Sequence, residues 1–176
     1  SNRILKLMNR KYTREDYIAL AKKAKEIIHG VALTTDIIVG FPGETENDFA
    51  DTMDLYREVG YASAYTFIYS KRNGTPAARM KEQIPLDVKK ERLSRLIALQ
   101  AECTAEFQKR YIGGVYMVLV ESVSKRSKKM LSGRTLCGRM VSFPADASLI
   151  GKTVPVRIIQ AKANTLSGVL ETEEQI

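Results

Sequence analysis

The chain has 176 residues, 44% of them hydrophobic, enough for one good core or two small ones. Lys and Arg outnumber Asp and Glu by 28 to 20, a formal charge of +8 that favours an anionic partner without identifying one. Two cysteines, Cys103 and Cys137, lie far apart without CxxC spacing, which excludes a disulfide framework or a cysteine metal cluster and fits a reducing compartment; no run approaches the roughly 20 apolar residues of a membrane span, and the first residues lack a signal peptide's apolar core, so a soluble cytoplasmic protein is expected.

Thr13 followed by Asp16 approximates a capping box, and Tyr17, Leu20, Ala21, Ala24, Ile27 and Ile28 recur at helical spacing, which predicts an amphipathic helix ending at His29 and Gly30. The run from Val31 to Phe41 is short, β-branched and almost continuously apolar, the pattern of a parallel strand covered on both faces. Thr45 and Asp48 repeat the capping pattern, and Phe49, Met53, Tyr56 and Val59 give the next helix its buried stripe. Ala64 to Tyr69 reads as another strand. Strand, helix and parallel strand in succession make a βαβ unit, so this part is α/β. After a loop, SKRNGTPA, Pro85 and Asp87 open a long helix to about Tyr111, with Val88, Leu93, Leu96, Ile97, Cys103 and Phe107 on its apolar side.

Past Gly113 and Gly114 the texture changes. VYMVLVESV, RTLCGRMVSF, KTVPVRIIQA and LSGVLE are short, β-branched and separated by Gly, Ser, Asn or Lys. They predict a separate all-β module at 114–176, a small OB-like five-stranded barrel, behind an α/β domain at 1–113. Charge divides along the same line. Residues 41–60 carry Glu44, Glu46, Asp48, Asp51, Asp54 and Glu58 against Arg57, a balance of −5. Residues 115–162 carry Lys125, Arg126, Lys128, Lys129, Arg134, Arg139, Lys152, Arg157 and Lys162 against Glu121 and Asp146, a balance of +7. The basic stretch around SKRSKK has two readings: a solvated hairpin, or a grip on RNA phosphates by Lys125, Arg126, Lys128, Lys129 and Arg134.

Along the strand in TTDIIVGFPGETENDF, Thr34, Asp36, Ile38 and Gly40 share one face, and Thr35, Ile37, Val39 and Phe41 the other. The second set suits covering helices. The first puts a carboxylate, an aliphatic side chain and bare backbone in a row toward the strand's C-terminal end, where α/β folds bind ligands. A buried carboxylate needs a partner, so Asp36 meets either a protein group or a polar ligand such as a ribose diol. FPGET lacks the spacing of a nucleotide loop and reads as a turn and helix cap. His29, in a helix's last turn, complements the dipole. No catalytic triad, paired-carboxylate spacing or metal-ligand set is present, so any reactive group lies elsewhere or in a cofactor.

SNRILKLMNRKYT, TTDIIVGFPGETENDF and YTFIYSKRNGTPAARM, in this order and spacing, resemble the second half of the radical S-adenosylmethionine barrel of the tRNA methylthiotransferases. VLVESVSK, SGRT, LIGKTVPVRI and TLSGVL resemble the TRAM domain that follows that barrel. The resemblance covers essentially the whole chain. It is strongest to the MiaB branch, which converts isopentenyl-adenosine beside the anticodon into its 2-methylthio form. The threonylcarbamoyl-adenosine branch and a purely RNA-binding module without catalysis are the alternatives.

The resemblance implies a full-length enzyme with two 4Fe-4S clusters: an auxiliary one on three cysteines of an N-terminal domain, and one on a CxxxCxxC motif that cleaves S-adenosylmethionine. Neither motif occurs here. The chain is therefore expected to be a C-terminal portion, beginning just after the fourth barrel strand and inactive alone. The resemblance assigns Arg10 to the cofactor's methionine carboxylate and Asp36 to its ribose hydroxyls. Tyr69 and Ser70 would border the adenine, and Ile38 and Gly40 would continue the ligand face, with Gly40 admitting the cofactor to the backbone. Arg72, Asn73 and Thr75 would lie at the mouth where the tRNA anticodon stem-loop approaches. A half barrel also exposes strand edges, so self-association is expected.

Overall fold

The computed structural model describes residues 1–124, 127–162 and 165–171. The chain divides into two compact units, Ser1–Cys103 and Thr104–Ile176. The first contains α1 (Asn2–Leu7), α2 (Arg14–Ile27), β1 (Thr34–Val39), α3 (Glu46–Val59), β2 (Ser63–Ile68), α4 (Pro76–Arg79) and most of α5 (Leu86–Lys109). The second contains the end of α5 and five strands, β3 (Val115–Val123), β4 (Met130–Thr135), β5 (Met140–Pro144), β6 (Thr153–Lys162) and β7 (Thr165–Leu170), with a 3-10 turn at Ala147–Leu149. The unit boundary falls ten residues before the expected one, because Phe107 and Tyr111, both buried, join a ring cluster with Tyr116 of β3.

In the first unit β1 and β2 pair in parallel, from Thr34 opposite Ser63 to Val39 opposite Ile68. Both α2 and α3 begin with complete capping boxes, Thr13 with Asp16 and Thr45 with Asp48, each hydroxyl and carboxylate answering the other's backbone amide. The core joins Val39 and Ala64 of the sheet to Phe49, Tyr56 and Val59 of α3 and to Leu96 and Leu99 of α5. Tyr61, between α3 and β2, lies in the same core.

Several expectations are corrected here. Strand β1 starts three residues later than expected, at Thr34, with the Leu33 carbonyl just before it accepting from the Ala62 amide at 2.8 Å. It is covered on one face only: Asp36 and Ile38 are exposed, so the expected burial of the carboxylate does not hold. Helix α2 packs through Tyr17, Ile18 and Ala21, leaving Leu20 and Ile27 each 66% exposed. Its periodic residues thus fall on two faces, and only one has a partner. His29 lies in a turn beyond the helix rather than in its last turn. In α5, Leu99 is buried while Ile97 is exposed.

The second unit is a closed barrel in the order β3-β4-β5-β7-β6. The one parallel pairing, β5 with β7, closes it. Inward residues alternate as a pleated strand requires: Val118 and Val120 on β3, Val141 and Phe143 on β5, Val156 and Ile158 on β6 are all at most 1% exposed. Register shifts between Val120 and Ser122 and between Ile158 and Gln160 bend the two longest strands, as closing a small barrel demands.

One ion pair of the first unit is buried on both sides. Glu44 and Arg92 are both 5% exposed, and Arg92 Nη1 donates to Glu44 Oε1 at 2.8 Å and to the Glu44 carbonyl at 3.1 Å. Burial raises the Glu44 pKa, with the Gly40 amide and Arg92 pulling the other way. A raised folded-state pKa means that ionised Glu44 opposes folding, so its contribution worsens as pH rises. Arg92→Met removes the compensating cation and is expected to cost the first unit about 3–5 kcal/mol at neutral pH. That deficit, read from urea midpoints against the unsubstituted chain, should shrink as pH falls and Glu44 protonates.

Candidate functional site

The exposed face of the parallel sheet opens on a cleft of about 330 Å³. Its lining includes Arg10, Tyr12 and Tyr17 from the start of the chain, Asp36 and Ile38 from β1, and Phe67 from β2. The volume is within the range of small-molecule sites, and the mixture is suited to a nucleoside: aromatic and aliphatic surface with the carboxylates of Asp36 and Glu44 and the guanidiniums of Arg10 and Arg14.

Helix α1 borders this cleft because both its ends are tied. Ser1 Oγ donates to Asp48 Oδ1 at 2.6 Å, and Arg3 donates to the Gly43 carbonyl at 2.6 Å and forms an ion pair with Asp48. Asn2 bridges to α2, donating to Glu15 at 2.9 Å and accepting from the Arg14 amide at 2.7 Å. At the other end Asn9 takes a left-handed φ of 58°. The Asn9 amide reaches the Lys6 carbonyl and the Arg10 amide reaches that of Leu5, the double closure of a Schellman motif. Asparagine tolerates this conformation, and the turn leads Arg10 into the cleft wall.

Asp36 Cα is opposite Tyr65, and Ile38 is opposite Phe67. Tyr65 and Phe67 are 71% and 50% exposed, so the open face carries two aromatic rings beside the carboxylate. Deeper in the cleft, the buried Tyr61 hydroxyl donates to that of Tyr17 at 2.9 Å, and burial pushes the Tyr61 pKa up. Asp36 makes no ion pair among the described residues.

Three of the expected cofactor positions, Arg10, Asp36 and Ile38, line the cleft together; Gly40, Tyr69 and Ser70 do not. Gly40 is glycine for a different reason from the one expected. Its φ is +73°, and a Cβ there would collide with Lys89 Cγ. Lys89, only 9% exposed, lays its stem over Gly40, donates from Nζ to the Tyr69 carbonyl at 3.0 Å and faces the Tyr69 ring at 5.0 Å. The ends of both strands are thereby fastened by one lysine from α5. Burial and the charge of Lys71 lower its pKa.

FPGET is a turn and cap, as expected. The Glu44 amide donates to the Phe41 carbonyl at 2.9 Å, with Pro42 and a positive-φ Gly43 between them, the sequence of a type II turn. The acids beyond it are each engaged. Glu46 pairs with Arg95 at 2.6 Å. Asp48 is held well below the usual carboxylate range; its partial burial works upward, but hydrogen bonds from Arg3, Ser1 and Thr45 prevail. Periodicity alone missed the arginine partners, Arg3 on α1 and Arg95 on α5, which are 45 and 49 residues away from the acids they meet.

Of the expected RNA-contact residues, Arg72 and Asn73 are exposed, whereas Thr75 caps α4, accepting from the Ala78 amide. Lys128 and Lys129 are exposed in the β3–β4 turn. Arg134 is engaged, at 3.2 Å from Glu121 and 3.2 Å from the Gly138 carbonyl. Lys125 and Arg126 lie outside the described residues.

Comparison with known proteins finds two family matches in the chain. Residues 1–56 match the Radical SAM superfamily and residues 109–170 match the TRAM domain. The chain is 58% identical over 168 residues to the tRNA-2-methylthio-N(6)-dimethylallyladenosine synthase of Acetivibrio thermocellus, covering 96% of the chain and 35% of that protein. It is 56% identical over 173 residues to the protein of the same name from Geobacillus thermodenitrificans, covering 98% of the chain and 33% of that protein. The corresponding protein of Bacillus mycoides is 52% identical over 173 residues, with 98% of the chain and 34% of that protein covered. The chain thus spans about a third of the length of the curated relatives it matches.

The Gly40 geometry has a direct check. Gly40→Ala is expected to destabilise the first unit by about 2 kcal/mol, combining a left-handed backbone with a steric collision. Combined with Lys89→Ala, which removes the colliding stem, the losses should be less than additive in a denaturation cycle. Full additivity would mean that the stem is not what excludes a side chain.

Proposed function

We propose that this chain, a radical SAM segment joined to a TRAM domain, is part of a tRNA methylthiotransferase that modifies C2 of isopentenyl-adenosine next to the anticodon. The observation that carries the reading is the convergence of Arg10, Asp36 and Ile38 on one cleft of nucleoside character. In this reading Asp36 accepts hydrogen bonds from the ribose hydroxyls of S-adenosylmethionine, Arg10 pairs with its carboxylate, and Ile38 with Phe67 supplies apolar contact. The bound cofactor supplies the radical and methyl-transfer chemistry. The residues of this chain bind and orient it on the open sheet face.

The chain's own residues do not fit the iron–sulfur clusters. Two cysteines fall short of the three or four thiolates such a centre requires, and among the described residues no group of His, Cys, Asp or Glu is arranged for a metal. Cluster ligation is assigned to the remainder of the full-length protein. No described helix is long and apolar enough to cross a membrane. Relatives named for dimethylallyladenosine favour that substrate over the threonylcarbamoyl one, and the radical SAM segment favours an enzyme over a binding module alone.

RNA contact is assigned to the exposed Arg72 and Asn73 of the first unit and to Lys128 and Lys129 of the second. In the first unit β1 and β2 form a sheet of two strands, leaving their outer edges unpaired among the described residues. Such edges invite pairing with another copy. Size-exclusion chromatography of the chain at increasing concentration should show self-association, and a monomer throughout would remove this element of the proposal.

In the full-length protein, Asp36→Ala should weaken S-adenosylmethionine binding by about tenfold, the worth of a charge-assisted hydrogen bond to a diol. Both clusters should stay intact by their absorption spectra. Unchanged binding would remove the ribose role of Asp36.

A further inference from the structure

Of the four lysines in the second unit that have no ion-pair partner among the described residues, three lie around β3, and the fourth, Lys162, is at the far end of β6. Its described acids are engaged: Glu106 with Lys109 at 2.6 Å, Glu121 with Arg134 at 3.2 Å, Glu171 with Arg157, and Asp146 with the Ser148 amide at 2.9 Å. Lys128, Lys129 and Lys152 have no ion-pair partner among the described residues, and all three are exposed.

Register places these lysines on two sides of one strand. The Val120 amide donates to the Lys152 carbonyl at 2.9 Å, and the Gly151 amide to the Val120 carbonyl at 2.9 Å. Lys152 therefore flanks the C-terminal half of β3 on the side away from β4. Lys128 and Lys129 sit in the turn that joins β3 to β4. Two exposed apolar residues lie beside Lys152, and the outward Glu121 farther along β3 is held by Arg134 at 3.2 Å. Leu119, whose neighbours Val118 and Val120 point into the core, is 47% exposed, and Ile150, just before the bonded Gly151, is 42% exposed. The strip thus offers Leu119 and Ile150 as apolar contacts, cations on both banks and no unengaged carboxylate.

We propose that this strip of β3 holds unpaired RNA, with phosphates on Lys128 and Lys129 along one bank and on Lys152 along the other, and base faces against Leu119 and Ile150. The inference rests on the RNA-binding reading of the TRAM domain and adds its location and its preference for single strands. A paired helix keeps its base faces stacked inside and offers the strip only phosphates and sugars, whereas unpaired nucleotides supply both chemistries. A protein partner covering Leu119 and Ile150 would have to neutralise three lysines as well, so the charge balance favours a polyanion.

The test titrates the chain with a single-stranded oligoribonucleotide and with a duplex of the same length across a series of salt concentrations. Tighter binding of the single strand is expected. Lys152→Glu and the paired change Lys128→Glu with Lys129→Glu should each weaken it and flatten the salt dependence, by about 0.7 in log–log slope per lost phosphate contact. Leu119→Ala should weaken single-strand binding several-fold while leaving the slope unchanged. Lys162→Glu makes the same charge change at the far end of β6, roughly 30 Å from Lys152 by strand rise, and should be close to neutral. The substituted side chains are exposed, and thermal unfolding of each variant checks that the barrel is intact. Equal losses from Lys152→Glu and Lys162→Glu, or unchanged binding in all the strip variants, would overturn the location while leaving RNA binding in place. A duplex bound as tightly as the single strand would overturn the preference. A Leu119→Ala effect on self-association instead of on RNA would assign the strip to a second copy. If the unsubstituted chain binds neither RNA at any salt concentration, the RNA-binding reading itself fails.

Discussion

The rim of the first unit depends on how three carboxylates are neutralised. FPGETEND puts Glu44, Glu46 and Asp48 within five residues at the start of α3, where the helix dipole favours negative charge but cannot by itself compensate a buried one. Each acid is met by its own arginine. Arg92 and Arg95 come from α5 and Arg3 from α1. The Gly40 amide completes the set by donating to Glu44 at 2.9 Å. The arrangement ties the end of β1, the starts of α3 and α5, and α1 into one network.

The cleft is a consequence of that network. Because Ser1 and Arg3 are fixed on Asp48 and Gly43, helix α1 is held beside the open face of β1, and the Asn9 turn then delivers Arg10 to the same cavity as Asp36. Lys89 performs a related task at the strand ends, clasping Gly40 and Tyr69 together. The polar and aromatic groups that the cleft offers on its open face, Asp36 and Phe67, are exposed. Those that hold them in place are buried and charged, so disturbance of the second group would propagate to the first.

Much of this was legible in the chain's local patterns. The capping boxes at Thr13 and Thr45, the two parallel strands, the change of texture after Gly114 and the five-stranded barrel all follow from rules that act over a few residues. So did the two faces of β1, because side-chain alternation is a property of any strand. The apolar residues of α2 were assigned to the wrong environment for a physical reason: periodicity reports that a face is apolar, not whether anything covers it.

Local order, then, was settled by neighbouring residues: where helices start, which way each side chain points, and that acids cluster in one segment and bases in another. Pairing across long separations was settled by packing. Nothing near Glu44 in the chain indicates Arg92, 48 residues away, and nothing near Gly40 indicates that the stem of Lys89 fills the space where a side chain would go. Such contacts depend on how helices stack on the sheet, and burial then turns a favourable pairing into a necessary one, since a charge removed from water must find its counterpart wherever the fold has brought it.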